Sequence, residues 1–284
     1  MSKGTSSTPL RSLSLSKGTS STPLRSLSLS KGLPSTSPLR QAQGTVVRRI
    51  VARMHIVLVP GFWLGAWSWA PVTAAVEAAG HTPHPLSLPG MESLKADRRG
   101  ITLDDHIRFV EEYIADLDGD IVLVGHSGGG SVIHAVVDRH PGRIRHAVYV
   151  DSGPTPDGME INANIPEVDG ELPLPAWDFF DDLELTGLDE ADLENFRARA
   201  VPTPTRVARD PQVLTNEARY EVPVTVITCT YSAEEMRRGM GAGVPYFAEL
   251  PRIHEVGIVE LPTGHWPQFS RPRDLANVIV AAIR

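Results

Sequence analysis

From residue 54 onwards, short apolar runs alternate with longer stretches in which apolar residues recur with a helical period. Several of the short runs are apolar throughout, which is typical of parallel strands that are covered on both faces. The pattern predicts strands at His55–Val59, His84–Leu88, Ile121–Gly125, Ala147–Asp151, Val222–Thr228 and Val256–Leu261. It predicts helices at Trp67–Ala79, Leu103–Leu117, Ser127–Arg139 and Asp274–Ile283. This alternation predicts an α/β fold with a doubly wound, mostly parallel sheet that binds ligands at the carboxyl ends of its strands.

The segment 154–219 interrupts this alternation. It is rich in Pro and Asp, carries an aromatic cluster and contains one helix-like run, Glu190–Arg199. Because it follows a predicted strand, it would lie above the strand ends, where long insertions are commonly functional. We therefore predict a small inserted cap over the functional site.

The first 53 residues form a different region. Residues 2–15 recur identically as residues 16–29, and a third, diverged copy begins at Ser30. A short repeat rich in Ser, Thr, Gly and Pro cannot pack a core, and it is too short for a solenoid unit. We predict a disordered tail over 1–53 and an α/β domain over 54–284. The Ser- and Arg-rich, acid-free composition is also that of transit peptides, although an amphipathic period is missing. Two interpretations of the tail therefore stay open: a targeting segment, or a start site assigned too far upstream of a protein that begins near Met54.

Charge and composition narrow the classes of partner. The chain carries a net charge of −7, but residues 1–53 contain nine basic and no acidic residues, so the remainder carries −16. Such an acidic body argues against nucleic acids and anionic membranes as partners. No apolar stretch reaches transmembrane length, and the single cysteine, Cys229, excludes an internal disulfide and a multi-thiolate metal site. We predict a cytoplasmic protein, and a homodimer is compatible with the sequence.

Candidate chemistry begins at Gly125-His126-Ser127-Gly128-Gly129, directly after the third predicted strand. The pattern G-x-S-x-G predicts a tight turn between strand and helix that presents the serine hydroxyl, and small residues are needed because a Cβ at either glycine would clash. The turn also leaves the Gly128 N–H free at the start of a helix, where the helix dipole favours an anion. Ser127 is therefore a candidate nucleophile for acyl transfer.

A second glycine turn, at residues 60–65, follows the first predicted strand. It would present the Phe62 N–H at the same edge of the sheet as the candidate nucleophile. Phe62 and Gly128 would then supply two backbone donors for a developing oxyanion. Phe62 and Trp63 would line an apolar acyl pocket, together with Trp266 on a later loop at this edge.

A serine nucleophile needs a base, which should be a histidine on a loop after a late strand. Of the ten histidines, His265 fits best, because it lies in a loop with Pro and Gly between the last strand and the last helix. We expect His126 to pack beneath the nucleophile turn. No His, Glu or Asp spacing resembles a metal site, so neither a metal nor another cofactor is predicted.

These motifs resemble those of the α/β-hydrolase family, in particular its small esterase and hydroxynitrile lyase branch with a short cap. The resemblance covers residues 54–284, and the motifs that carry it are residues 59–63, 125–129 and 264–266. It implies Ser127 as nucleophile and His265 as general base and acid. It also implies Phe62 and Gly128 as oxyanion donors. In the oxyanion turn this chain has Pro-Gly where most relatives have His-Gly, a change that a backbone donor tolerates.

The acid of the triad departs from the family pattern. Relatives usually carry Asp just after the strand predicted at 222–228, and here Ser232 occupies that place. Asp151, at the end of the preceding core strand, is a position that some members use instead. Glu234 or Glu235, on the late loop, is the alternative, and both choices keep the chain order nucleophile, acid, histidine. A dyad without an acid is the third hypothesis, since the acid orients the histidine rather than reacting.

The resemblance implies a cofactor-free serine hydrolase that acts on a small apolar carboxylic ester or lactone through an acyl-enzyme on Ser127. A hydroxynitrile lyase-like enzyme is one alternative, but plant lyases of this branch use a lysine near the late acid loop, and residues 231–236 contain none. A non-catalytic ligand receptor on the same fold is another. The predicted partner is a small-molecule ester.

Overall fold

The computed structural model of the chain describes residues 53–283. Its strands are β1 (His55–Val59), β2 (Thr82–Pro85), β3 (Ile121–His126), β4 (Ile144–Val150), β5 (Glu171–Leu172), β6 (Thr203–Pro204), β7 (Val224–Thr228) and β8 (Val256–Glu260). Its α-helices are α1 (Ala70–Ala78), α2 (Leu103–Ala115), α3 (Gly128–Arg139), α4 (Glu190–Arg199), α5 (Thr205–Arg209), α6 (Ala233–Gly241), α7 (Pro267–Ser270) and α8 (Pro272–Ala282). Short 3₁₀ helices lie at Ala66–Trp69, Pro141–Arg143, Trp177–Phe179, Glu217–Glu221, Pro245–Phe247 and Leu250–Arg252.

The main sheet is parallel throughout, with the strand order β2-β1-β3-β4-β7-β8. Its two faces belong to different apolar clusters. In β1, for example, Val57 and Val59 join the cluster that also contains side chains of α2 and α3, whereas Ile56 and Leu58 join the cluster with α1 and α8. Burial on both faces explains the continuous apolar runs of the central strands, such as Ile56–Val59 in β1 and Ile121–Val124 in β3. The predicted α/β fold with a doubly wound parallel sheet is confirmed.

Two of the differences from the sequence pattern have a local physical cause. The second strand is Thr82–Pro85 rather than His84–Leu88, because Leu86 and Leu88 are buried beyond the end of the ladder. Its two prolines are tolerated since β2 is an edge strand. No helical apolar period in the sequence predicts helix α6. The helix begins with a capping box between Ser232 and Glu235.

The segment 154–219 lies between β4 and β7 in the chain and contains α4, α5 and a small antiparallel pair, β5–β6. It hydrogen-bonds to two loops at the carboxyl ends of the main strands. The Val201 N–H donates to the Trp63 carbonyl at 3.0 Å, and the Glu184 carbonyl accepts from the His265 N–H at 2.7 Å. These contacts support the predicted cap, whose boundaries stay a prediction.

Apart from Arg53, the tail predicted over residues 1–53 lies outside the described residues. The described residues belong to one compact unit. Within residues 53–283, no helix combines the length and apolarity that a membrane crossing requires.

Candidate active site

Ser127 occupies the turn between β3 and α3. Its backbone has a positive φ of 51° with a ψ of −126°, a combination that non-glycine residues rarely adopt. The turn is so tight that a Cβ on Gly125 would lie 2.6 Å from the Gly129 carbonyl oxygen, and a Cβ on Gly129 would lie 2.6 Å from that of Pro60. The Ser127 N–H donates to the Val150 carbonyl at 3.1 Å. This geometry fixes the serine at the carboxyl edge of the sheet, as the motif predicts.

His265 lies in the loop between β8 and α7, and its ring is placed between a hydroxyl and a carboxylate. Nε2 is 2.9 Å from the Ser127 Oγ, and Nδ1 is 2.6 Å from the Asp151 Oδ2. The carboxylate side chain is only 2% exposed, whereas the imidazole is 19% exposed. The structure therefore brings together the three residues that the sequence proposed, in the order hydroxyl, imidazole, carboxylate.

Asp151 follows the last residue of β4, and the loop after β7 holds its carboxylate. Oδ1 accepts hydrogen bonds from the Cys229 N–H at 2.9 Å and from the Thr230 N–H at 3.0 Å. The Thr230 hydroxyl donates to the same carboxylate at 3.0 Å from Oδ2. Neither Cys229 nor Thr230 was among the candidate site residues from the sequence. No motif marks them, because their role depends on β4 and β7 being neighbours in the sheet.

The two pKa values of this pair move apart. Burial alone would raise the pKa of the Asp151 carboxyl, but the hydrogen bond and charge of His265 and the backbone donors outweigh burial and lower it. Burial would lower the pKa of His265, yet the hydrogen bond and charge of Asp151 prevail and raise it above 6.5. The carboxylate is therefore ionised at neutral pH and increases the basicity of the imidazole.

Glu234, the alternative acid, lies in the first turn of α6 and points to solvent. Its side chain is 84% exposed and pairs with Arg238 at 3.0 Å. Glu235 is bonded to Ser232 in the capping box of the same helix. The structure thus brings Asp151, and neither glutamate, to His265.

Phe62 and Gly128, the candidate oxyanion donors, lie side by side. A Cβ on Gly128 would be 2.7 Å from the Phe62 ring, and a Cβ on Gly61 would be 2.8 Å from the Ser127 Cβ. Neither the Phe62 N–H nor the Gly128 N–H donates to any group within residues 53–283. Two unpaired donors beside the serine are the arrangement that an oxyanion requires.

Backbone strain is concentrated at this edge. Among the described residues, four non-glycine residues have positive φ, and three of them are Trp63 at 64°, Ser127 at 51° and Asp151 at 42°. Such conformations cost on the order of 1–3 kcal/mol each and cluster at functional sites, where the surrounding structure holds them.

The predicted pocket tryptophans are both buried. The Trp63 indole N–H donates to the Leu172 carbonyl of the cap at 2.9 Å, and the Trp266 ring packs edge-on against His265 with centroids 5.0 Å apart. A small cavity beside the oxyanion turn is lined by Phe62, but by neither tryptophan. The role of Trp63 and Trp266 in a substrate pocket stays a prediction.

His126 lies beneath the nucleophile turn, as expected from the sequence, and it bonds to the base loop. Its Nε2 donates to the His265 carbonyl at 2.7 Å, and its Nδ1 accepts from the Gln268 amide at 3.2 Å. Burial lowers the pKa of His126 to about 3, so the ring is neutral and can both donate and accept. His126 and Gln268 therefore hold the backbone of the loop that carries His265.

Within the described part of the chain, no group of three or more His, Cys, Asp or Glu side chains could hold a metal ion.

Comparisons with known proteins show the family and the fold. The profile of the alpha/beta hydrolase family matches residues 56–278. The chain is 30% identical over 254 residues to a carbendazim hydrolyzing esterase from Nocardioides sp. (strain SG-4G), an alignment that covers 80% of this chain and 98% of that protein. Methylesterase 8 of Arabidopsis thaliana is 36% identical over 118 residues, which cover 38% of this chain and 41% of that protein.

A solved structure, an extracellular alpha/beta-hydrolase from a Paenibacillus species, superposes with a TM-score of 0.66 at 23% identity. That superposition covers 81% of this chain and 98% of the other. At this identity the match shows a shared fold.

Proposed function

The chain belongs to the alpha/beta hydrolase family and is a carboxylic ester hydrolase, and on this basis we propose that it is a cofactor-independent serine esterase. Its proposed substrates are small, apolar carboxylic esters or lactones. The observation that carries the proposal is the continuous contact from Ser127 through His265 to Asp151. Relatives named esterase and methylesterase support the same reaction class.

The first half of the proposed reaction forms an acyl-enzyme. His265 Nε2 accepts the Ser127 hydroxyl proton while Oγ attacks the ester carbonyl carbon. The carbonyl oxygen gains negative charge between the Phe62 and Gly128 N–H groups, each donor being worth roughly 3 kcal/mol in comparable sites. Asp151 stabilises the imidazolium that forms. The tetrahedral intermediate then expels the alcohol, which takes the proton from Nε2.

The second half reverses these roles with water. His265 Nε2 accepts a proton from a water molecule whose oxygen attacks the acyl carbon, and the same two N–H groups hold the oxyanion. Collapse of the intermediate breaks the bond to the Ser127 Oγ, which recovers its proton from Nε2. The carboxylic acid leaves and the enzyme returns to its starting state.

The proposal is tested by replacing the nucleophile. Ser127→Ala should lower kcat for p-nitrophenyl acetate by roughly 10⁶, the loss typical of removing a triad nucleophile. The melting temperature should stay close to that of the wild type, because only a half-buried hydroxyl is removed. A purified variant that keeps more than a tenth of the activity would exclude Ser127 as nucleophile. Labelling of the wild type, but not of the variant, by a fluorophosphonate probe separates an enzyme from a non-catalytic receptor on this fold.

A further inference from the structure

A small cavity opens beside the two proposed oxyanion donors, between the oxyanion turn, α2, the start of α3 and the cap. Apolar side chains form most of its wall, and it has room for about one water molecule. Phe62 and Gly128 belong to this wall, whereas Ser127 and His265 do not. The cavity therefore adjoins the proposed oxyanion donors on a side that neither Ser127 nor His265 borders.

Stereochemistry assigns this side to the acyl group of a substrate. In the proposed reaction the leaving oxygen must lie at His265 Nε2, because it takes its proton there. The carbonyl oxygen must lie between the Phe62 and Gly128 N–H groups. The remaining substituent of the carbonyl carbon, the acyl side, then points away from His265 and toward the cavity.

Two polar side chains line this otherwise apolar cavity, His106 and Thr203. His106 is 2% exposed on the buried face of α2, and its Nε2 donates to the Pro89 carbonyl at 2.9 Å. Its Nδ1 has no hydrogen-bond partner within residues 53–283. This atom is not among the fully buried unpaired atoms, so it keeps some accessible surface. Burial lowers the pKa of His106 to about 4, so the ring is neutral and Nδ1 is an acceptor.

Thr203 supplies the complementary group. The residue is 1% exposed, and its Oγ1 accepts from the Trp63 N–H at 3.1 Å. Its hydroxyl proton has no acceptor among the described residues. His106, with an unpaired acceptor, and Thr203, with an unpaired donor, thus both belong to the wall of a space of the size of one water molecule.

We propose that this cavity is an acyl subsite that selects esters of short α-hydroxy acids. The inference rests on the proposed function and assigns one polar group, an α-hydroxyl, to the acyl part of its otherwise small ester substrate. A hydroxyl group has the size of the space, donates one hydrogen bond to His106 Nδ1 and accepts one from the Thr203 hydroxyl. A methyl group of equal size fits the space but leaves both buried groups unpaired, which opposes its binding.

The test compares two esters that differ only in this group, methyl glycolate and methyl propionate, with proton release as the assay. The wild type should hydrolyse the glycolate with a kcat/KM at least about tenfold higher than the propionate, beyond the ratio of their rates in alkaline water. Equal values, or a preference for the propionate, would overturn the inference. This comparison needs no variant and decides the case even where a substitution disturbs folding.

Two substitutions of His106 distinguish the roles of its two ring nitrogens, Nδ1 and Nε2. His106→Gln keeps a donor at the Nε2 position for Pro89 but removes the acceptor at Nδ1, so the preference for glycolate should disappear. His106→Asn keeps a polar atom at the Nδ1 position and loses the bond to Pro89, so the preference should persist. Equal ratios in the two variants would contradict the role assigned to Nδ1.

A control with Ser127→Ala separates failure of the proposed serine esterase function from failure of the proposed acyl subsite. If the wild type does not hydrolyse p-nitrophenyl acetate, or Ser127→Ala hydrolyses it as fast, the proposed function fails. If the wild type hydrolyses p-nitrophenyl acetate but neither methyl ester, the subsite alone is refuted. If hydrolysis depends on Ser127 but shows no preference for glycolate, the subsite alone is refuted.

Discussion

Replacement of Asp151 by Asn tests the proposed triad most sharply. The carboxylate Oδ1 accepts from the N–H groups of Cys229 and Thr230 at 2.9 and 3.0 Å. Only an oxygen can accept both bonds, so an NH₂ group is unfavourable at this position. In Asp151→Asn the amide oxygen must therefore stay there, and the NH₂ group turns toward His265 Nδ1. A donor at that point forces Nδ1 to act as the acceptor, and the ring proton moves to Nε2.

An imidazole with its proton on Nε2 cannot accept the proton of the Ser127 hydroxyl. The same enforced tautomer lowers kcat by about 10⁴ in another serine triad, which corresponds to about 5.4 kcal/mol of transition-state stabilisation. We expect a loss of that order here, because Asp151 Oδ2 is only 2.6 Å from Nδ1 and the site is buried. The fold should persist, since the substituted side chain keeps its shape.

The matched control is Glu234→Gln, which also removes one carboxylate charge. That side chain is 84% exposed and its partner is Arg238, and an exposed pair of this kind contributes at most about 1 kcal/mol to stability. Its kcat should stay within about twofold of the wild type. The assay is steady-state hydrolysis of p-nitrophenyl acetate, with circular dichroism to verify folding. A loss below tenfold in Asp151→Asn would refute the triad, and a larger loss in Glu234→Gln would move the acid to the late loop.

Two further predictions concern pH and the tail. Because the pKa of His265 is raised above 6.5 and the protonated ring cannot act as a base, kcat/KM should rise with pH through a midpoint above 6.5. In Asp151→Asn this midpoint should move to lower pH, and a wild-type midpoint at or below 6.5 would contradict the assignment. Removal of residues 1–53 should leave kcat and the melting temperature unchanged, since a short Ser-rich repeat has no core to contribute. A melting temperature lower by more than about 5 °C would show that the tail packs on the domain.

The features that the sequence predicts well are those encoded within one short segment. The nucleophile turn needs its glycines because backbone atoms lie within 2.6 Å of where a Cβ would be, so the motif itself carries the geometry. Helix α4 has the predicted bounds, Glu190–Arg199, because a capping box between Asp189 and Asp192 defines its start. The different bounds of β2 show a limit of prediction from a short apolar run. An apolar residue such as Leu88 indicates that a position is buried, but not that it belongs to a strand.

The choice of acid depended on contacts between distant segments. Asp151 and Thr230 are 79 residues apart, and they meet because β4 and β7 are neighbours in the sheet. The bond between His126 and Gln268 joins residues 142 positions apart. The sequence pattern predicts that such strands are parallel, but the order of the strands follows from packing of the whole sheet. For this reason the sequence left Asp151 and Glu234 both open.

Strand order also explains how the acid can lie on β4 rather than after β7. Neighbouring parallel strands end about 4.8 Å apart at the same edge, so a carboxylate on either strand can lie against one histidine. Here the Asp151 N–H donates to the Ile227 carbonyl at 2.8 Å, which fixes the end of β4 against β7. The loop after β7, which carries the acid in most relatives, instead donates the N–H groups of Cys229 and Thr230. The ends of the two strands thus have separate roles. The residue after β4 supplies the negative charge, and the loop after β7 supplies the hydrogen bonds that keep it ionised in a buried position.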